Sequence, residues 1–251
     1  MKFFHSVQSE WMKTKRSAAS WLCLLGGFFI PVIFLILFLK DHTSLNRFYP
    51  FANIWKKLFL NMWENMANFL LPMGVILASS LITQMEYKNN SWKQLMTTPQ
   101  SYTSVFFAKF TVIVLMTLKF FLFFNIGILL AGIIPSLICE YHWPIQPVPT
   151  GFFLVANLKI FACCLPILAI QYLVSLRFKN FLVSIGTGLL SWVATMIGLS
   201  WKYIFISPYA YCPLLIMGPK QTYNLQLSAV ISFTIFMLLS YWLYITKKEK
   251  G

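Results

Sequence analysis

Three charged residues stand inside apolar runs: Glu64, Lys119 and Lys159. A charge at the bilayer centre costs about 2.5 to 3.5 kcal/mol on insertion scales, so such groups imply a polar partner or a polar path. The chemistry open to them is ion pairing or the handling of a charged substrate, with Glu64 and Lys159 at similar depth as one pairing. The alternative is snorkelling to an interface or a structural pair between helices. Cys139 with His142 offers half a metal site, but with three histidines in the chain no second half is visible. Cys139 and Cys212 fall in loops on one side and are either bridged or free thiols, while Cys23, Cys163 and Cys164 read as small buried residues. Catalytic constellations are missing. No G-x-x-x-x-G-K-[ST] loop occurs to cradle ATP, the six carboxylates are scattered, and no histidine follows Ser200. The sequence therefore describes a non-enzyme with no metal or cofactor site of its own.

What must position these residues is a membrane domain. Of 251 residues 59% are hydrophobic and 10% charged, with a mean hydropathy of +0.71 and 25 phenylalanines, a composition foreign to soluble domains. At roughly 20 apolar residues per crossing, counting predicts an all-α membrane protein, a single domain over 1–251. Its six spans fall near 20–39, 61–84, 109–133, 151–175, 181–200 and 225–246. The first span is retained, because its apolar run is longer than a signal-peptide core and no small-residue cleavage site follows.

Twelve of the twenty Lys and Arg fall on the side of the N-terminus, six on the other, and two inside spans. This places both termini in the cytoplasm. The net charge of +14 then reflects topology and contact with anionic lipid, with no nucleic-acid partner. Residues 201–219, rich in Tyr and Trp but interrupted by Pro208, Pro213 and Pro219, read as an interfacial or re-entrant element on the outer side. Gly74 with Ala78, Ser184 with Gly188, and Thr187, Ser191 and Thr195 form rows suited to close helix packing.

Two polar segments carry helical stripes. Residues 1–19 put Phe4, Val7 and Trp11 on one face, with Glu10, Lys13, Lys15 and Arg16 on others, which predicts a helix lying in the inner interface; a basic unstructured tail is the alternative. Between spans 2 and 3, Trp92, Leu95 and Met96 stand at i, i+3 and i+4 in the polar stretch 86–109. That is a short amphipathic helix, broken at Thr97, Thr98 and Pro99, after which Ser101 or Ser104 can cap the next helix.

Glu10 with Lys13, Lys15 and Arg16 before the first span, then Glu86, Asn89, Asn90, Ser91, Trp92, Lys93, Leu95, Pro99, Ser101 and Lys109 after the second, resemble the permease subunits of ABC type-2 exporters. The resemblance extends over the whole chain in length, span layout and loop placement. The Asn-Asn-Ser-Trp-Lys run is most similar to permeases that protect bacteria against lantibiotics and bacitracin-type peptides, although many relatives have Gly-Thr at the positions of Asn90 and Ser91. The resemblance implies a bacterial cytoplasmic-membrane permease without a nucleotide site. Its partners would be a second permease copy or paralogue and two ABC ATPase subunits, which bind the ATP and Mg, and its substrate an amphipathic peptide. Glu86, Asn90, Ser91, Trp92, Leu95, Met96 and Pro99 would couple to the ATPase. Glu10, Trp11, Lys13, Lys15 and Arg16 would form the interfacial helix, and Glu64, Lys119 and Lys159 are candidates for the translocation path. The residues alone also allow a stand-alone secondary transporter or channel working through Lys119, Lys159 and Glu64, or a structural anchor for a signalling complex.

Overall fold

Long apolar runs with few charges favour the one secondary structure that satisfies each backbone N–H and C=O within its own segment. The computed structural model describes residues 2–40, 53–88, 101–138, 147–178, 180–217 and 224–248, and among these no strand occurs. Helix α1 (Lys2–Thr14) leads through a turn, in which Arg16 takes φ 59°, to α2 (Ala18–Lys40). Then α3 (Ile54–Asn65), a π-helical turn (Met66–Leu70) and α4 (Leu71–Lys88) follow one another as a single rod. After them come α5 (Tyr102–Ile138), α6 (Thr150–Arg177) and α7 (Phe181–Ile197). Two 3-10 turns (Ile204–Ile206 and Pro208–Ala210), α8 (Tyr211–Met217) and α9 (Leu225–Lys248) complete the order.

Five helical segments are long and apolar enough to cross a membrane: Ala18–Lys40, Ile54–Met85, Tyr102–Ile138, Thr150–Arg177 and Leu225–Thr246. The expected crossing at 181–200 is shorter, because Gly198 ends α7 with its N–H turned back to the Ala194 carbonyl. Its 17 residues rise about 26 Å, against a hydrocarbon core of about 30 Å. Two starts also lie earlier than the apolar count suggests. The Asn53 side chain accepts from the Lys56 N–H at 3.1 Å, which brings Lys56 and Lys57 into α3. Ser101 does the same for Ser104 at 3.3 Å, so α5 begins seven residues before the expected boundary and Ser101, of the two serines, is the cap.

Helix α6 is the hub, packed by α4, α7, α9 and the turns before α8. Beside it α2 lies along α5, and the two run parallel, since Ser20 meets Lys119 at one level and Pro31 meets Gly127 at another. Glycine makes this approach feasible: a Cβ on Gly27 would stand 3.0 Å from Phe123 Cβ and 3.1 Å from the Phe120 carbonyl. On Gly127 it would stand 2.7 Å from the Pro31 ring, and on Gly132 2.6 Å from Trp55. Phe59 stacks on Phe153 at 4.6 Å, and Trp63 on Phe121 and Phe124 at 4.9 and 4.7 Å. Gly74, a candidate for such packing, instead faces an open groove of about 410 Å³ between α2 and α4, with no atom within 4 Å of its Cβ position.

Candidate functional site

Residues 89–100, with Asn90, Ser91, Trp92, Leu95, Met96 and Pro99, lie outside the described residues, and of Glu86 only its place in α4 is described. What can be built is the seat into which that stretch delivers the chain, the N-terminal foot of α5. It begins at the Ser101 cap and is gripped from two sides.

On the first side, α1 docks against it. Ser6 and Thr14 of α1 are buried, and Glu10 stands between them at i+4 spacing with its carboxylate turned to α5. The Glu10 carboxylate stands 3.6 Å from the ammonium of Lys109, which is 1% exposed, and binds Lys13 at 2.5 Å through its other oxygen. A carboxylate between two ammonium groups is thus shielded from water at the joint. Phe4 stays exposed and Val7 and Trp11 half-buried, so the apolar stripe of α1 is turned only partly into the fold. Lys13, Lys15 and Arg16 are exposed beside it. That amphipathic arrangement suits a membrane interface.

On the second side, α6 and α9 hold the foot through aromatic rings. The Tyr172 hydroxyl donates to the Phe106 carbonyl at 2.9 Å, and Phe106 also meets Tyr241 and Tyr244 at 5.5 and 5.3 Å between ring centroids. The Tyr241 hydroxyl shares a hydrogen bond with Thr103 at 3.0 Å, in the first turn of α5. Thr103, Phe106 and Lys109 thus put the first turns of α5 in direct contact with α9, α6 and α1 in turn.

Deeper in the bundle a buried polar cluster joins α4, α6 and α7. Gln171 Nε2 donates to the Ser184 carbonyl at 2.8 Å and lies 3.2 Å from Ser80 Oγ, while Ser175 and Ser80 contact Ser184 Oγ at 2.7 and 2.9 Å. Tyr209, from the turn before α8, reaches Gln171 Oε1 at 3.5 Å, and Cys212 Sγ lies 3.8 Å from the Ile160 carbonyl. Tyr209 and Cys212, in the segment after α7, are thus buried against α6. Cys212 is buried there, and Cys139 lies outside the described residues. Of the predicted rows, Ser184 with Gly188 is the one that packs inward. Thr187 and Ser191 bond to carbonyls of their own helix, and Thr195 meets Ser207 at 2.6 Å.

The three charges in apolar runs do not come together. Lys119 donates to Ser20 Oγ at 2.8 Å, at the start of α2, with its ammonium 5.6 Å from the Phe123 ring centroid. This is the structural contact weighed against a path role. Lys159 is exposed, Glu64 is half-buried, and among the described residues no ion pair joins them. Among the described residues, no three His, Cys, Asp or Glu side chains gather as metal ligands.

Sequence reasoning singled out Glu10 and Lys109 but did not join them, and it passed over Gln171 and the reciprocal Asn125–Asn157 amide pair at 2.9 Å. The signal for these was a lone amide in an apolar span. A family model described as ABC-2 family transporter protein matches residues 6–198. No curated protein matches the chain.

Proposed function

The chain belongs to the ABC-2 family of transporter proteins, and from that premise we propose that it is the permease subunit of an ATP-driven exporter, with six spans and both termini in the cytoplasm of a bacterium. Two cytoplasmic ABC ATPase subunits bind the ATP and Mg, and a second permease copy or paralogue completes the pathway. The stretch 89–100 docks on the ATPase through Trp92, Leu95 and Met96, with Glu86, Asn90, Ser91 and Pro99 shaping it. Burying each large side chain in an ATPase groove would contribute about 1.5 to 3 kcal/mol. The substrate is an amphipathic peptide of the lantibiotic or bacitracin type, cleared from the membrane for self-protection or resistance.

The observation that carries this reading is the seating of α5. A chain segment that enters it at Ser101 acts on a foot held by Lys109 to Glu10 and by Phe106 to Tyr172. Closure of the ATPases against the stretch would tilt α5 and take α1 and α6 with it. The test is Trp92→Ala in the assembled complex. Loss of ATPase co-purification and of export supports the reading; unchanged export with unchanged co-purification removes it. Gradient-driven transport by the purified chain alone, without any ATPase, would favour the secondary-transporter alternative built on Glu64, Lys119 and Lys159.

A further inference from the structure

Glu64 is the single acidic residue of the six that lies inside a membrane-spanning run, the others being Glu10, Asp41, Glu86, Glu140 and Glu249. Along the α3 rod it belongs to a row: Asn61, Glu64, Asn65 and Asn68 stand at i, i+3, i+4 and i+7 and share one face. The opposite face holds Phe59, Met62, Trp63 and Met66, each at most 1% exposed, and packs on α5 and α6. The row itself looks away from the core. Asn65 is exposed, and Asn61, Glu64 and Asn68 are half-exposed.

Its depth follows from its neighbours. Trp63, next to Glu64, stacks on Phe121 and Phe124, and Gly27 near the middle of α2 abuts Phe123 and the backbone of Phe120 and Phe124. Glu64 is therefore level with the middle of a helix of bilayer-spanning length. A carboxylate with two amides turned outward at that depth, and a third amide, that of Asn68, tucked behind them against Met217, is incompatible with a face covered by hydrocarbon.

The local backbone is unusual at the same place. Met66–Leu70 is a π turn, a form found often at functional sites, and Trp192 Nε1 donates to the Asn68 carbonyl there at 3.0 Å. Asn68 Nδ2 contacts Met217 Sδ at 2.9 Å, Asn65 Nδ2 donates to the Asn61 carbonyl at 2.8 Å, and the Asn68 Oδ1 is buried with no hydrogen-bond partner among the described residues. Among the described residues no ion pair or hydrogen bond reaches the Glu64 carboxylate. Among the described residues, the row thus holds a carboxylate and an amide oxygen that both lack a donor.

We propose that Asn61, Glu64, Asn65 and Asn68 line a water-filled path and bind the ammonium or guanidinium groups of a cationic amphipathic molecule as it crosses. This rests on the permease reading for the identity of the cargo. The stripe supplies negative charge and acceptor oxygens where a cation would otherwise be desolvated without compensation, and Lys57, at the other end of the same face, marks where the favourable region stops.

The test uses the full chain in liposomes, with cysteine placed singly by Asn61→Cys, Asn65→Cys and Asn68→Cys, and by Leu190→Cys and Leu238→Cys as outward apolar controls. Each variant is reacted with a cationic trimethylammonium and an anionic sulfonate methanethiosulfonate, with the reaction of the native chain subtracted. Stripe positions should react while the controls do not, and the cationic-to-anionic rate ratio, with each rate divided by that reagent's rate with free 2-mercaptoethanol, should favour the cation by about tenfold. Adding Glu64→Gln should bring the ratio near one. A peptide of alternating Lys and Leu should slow the reaction, and its Glu–Leu counterpart should not. No reaction along the stripe, a charge preference that survives Glu64→Gln, or equal protection by both peptides overturns the proposal. Failure of an ATPase to co-purify would instead overturn the permease reading, and these labelling results would stand.

Discussion

The carboxylate of Glu10 and the ammonium of Lys109 face each other 3.6 Å apart across the joint between α1 and α5, with Lys109 almost wholly removed from solvent. Removing one member of a buried pair costs up to about 3 to 5 kcal/mol. Glu10→Ala should therefore destabilise the protein by that order in reversible unfolding in mixed micelles. Adding Lys109→Met should recover most of the loss, giving a favourable coupling in the double-mutant cycle. Additive losses would show that the two residues act separately.

Gly188 packs on Gln171 and Ile76 while Gly74 borders an open groove, so the two should respond differently to one added methyl. At Gly188 a Cβ would lie 2.7 Å from Gln171 Oε1 and 2.9 Å from Ile76, so Gly188→Ala overpacks α7 against α4 and α6. The expected loss is about 1 to 3 kcal/mol. Gly74→Ala meets no atom within 4 Å. It should leave unfolding within about 0.5 kcal/mol of wild type.

Gln171 is fully buried and supplies the amide N–H to the Ser184 carbonyl. Gln171→Leu removes this amide donor, while the Ser184 carbonyl keeps the Thr187 hydroxyl at 3.1 Å and the Ser80 hydroxyl keeps Ser184 Oγ at 2.9 Å, so the expected loss is that of a hydrogen bond, about 0.5 to 1.5 kcal/mol. Because Tyr209 reaches the same side chain, the variant should also speed proteolytic nicking within 204–217 relative to wild type. Unchanged nicking would separate the cluster from that segment.

Trp192 offers a cleaner subtraction. Trp192→Phe retains a ring against Phe69, 5.3 Å away between centroids, but removes the donor to the Asn68 carbonyl. Thermal unfolding should report a loss of about 0.5 to 1.5 kcal/mol. Trp192→Leu, which forfeits the ring contact as well, should lose more.

The membrane class and the helices were legible because apolar run length is a one-dimensional property, and Ala18–Lys40 and Leu225–Thr246 lie within two residues of the counted spans. Caps were less so. Asn53 and Ser101 draw Lys56, Lys57 and the 102–108 turns into helices that hydropathy alone starts later. Close packing was readable where a small residue meets a bulky one, but the period could not name the partner. Ser184 with Gly188 was a row on paper; that its neighbours are Gln171 and Ile76 depends on which helices are adjacent. The amphipathic stripe of α1 was readable, but that Glu10 faces Lys109 was not, because the period of one helix does not say which helix lies beside it. The stretch containing Trp92 remains a sequence expectation.

Helix α5 runs 37 residues without interruption, about 55 Å at 1.5 Å per residue. It is held against α2 from Lys119 to Gly127, and a pivot at the far end of that contact would leave about 37 Å of rod on the Tyr102 side and about 16 Å beyond. Such a rod behaves as an unequal seesaw. A shift of a few ångströms at Tyr102 would arrive at Ile138 reversed in direction and cut to less than half, with more than twice the force.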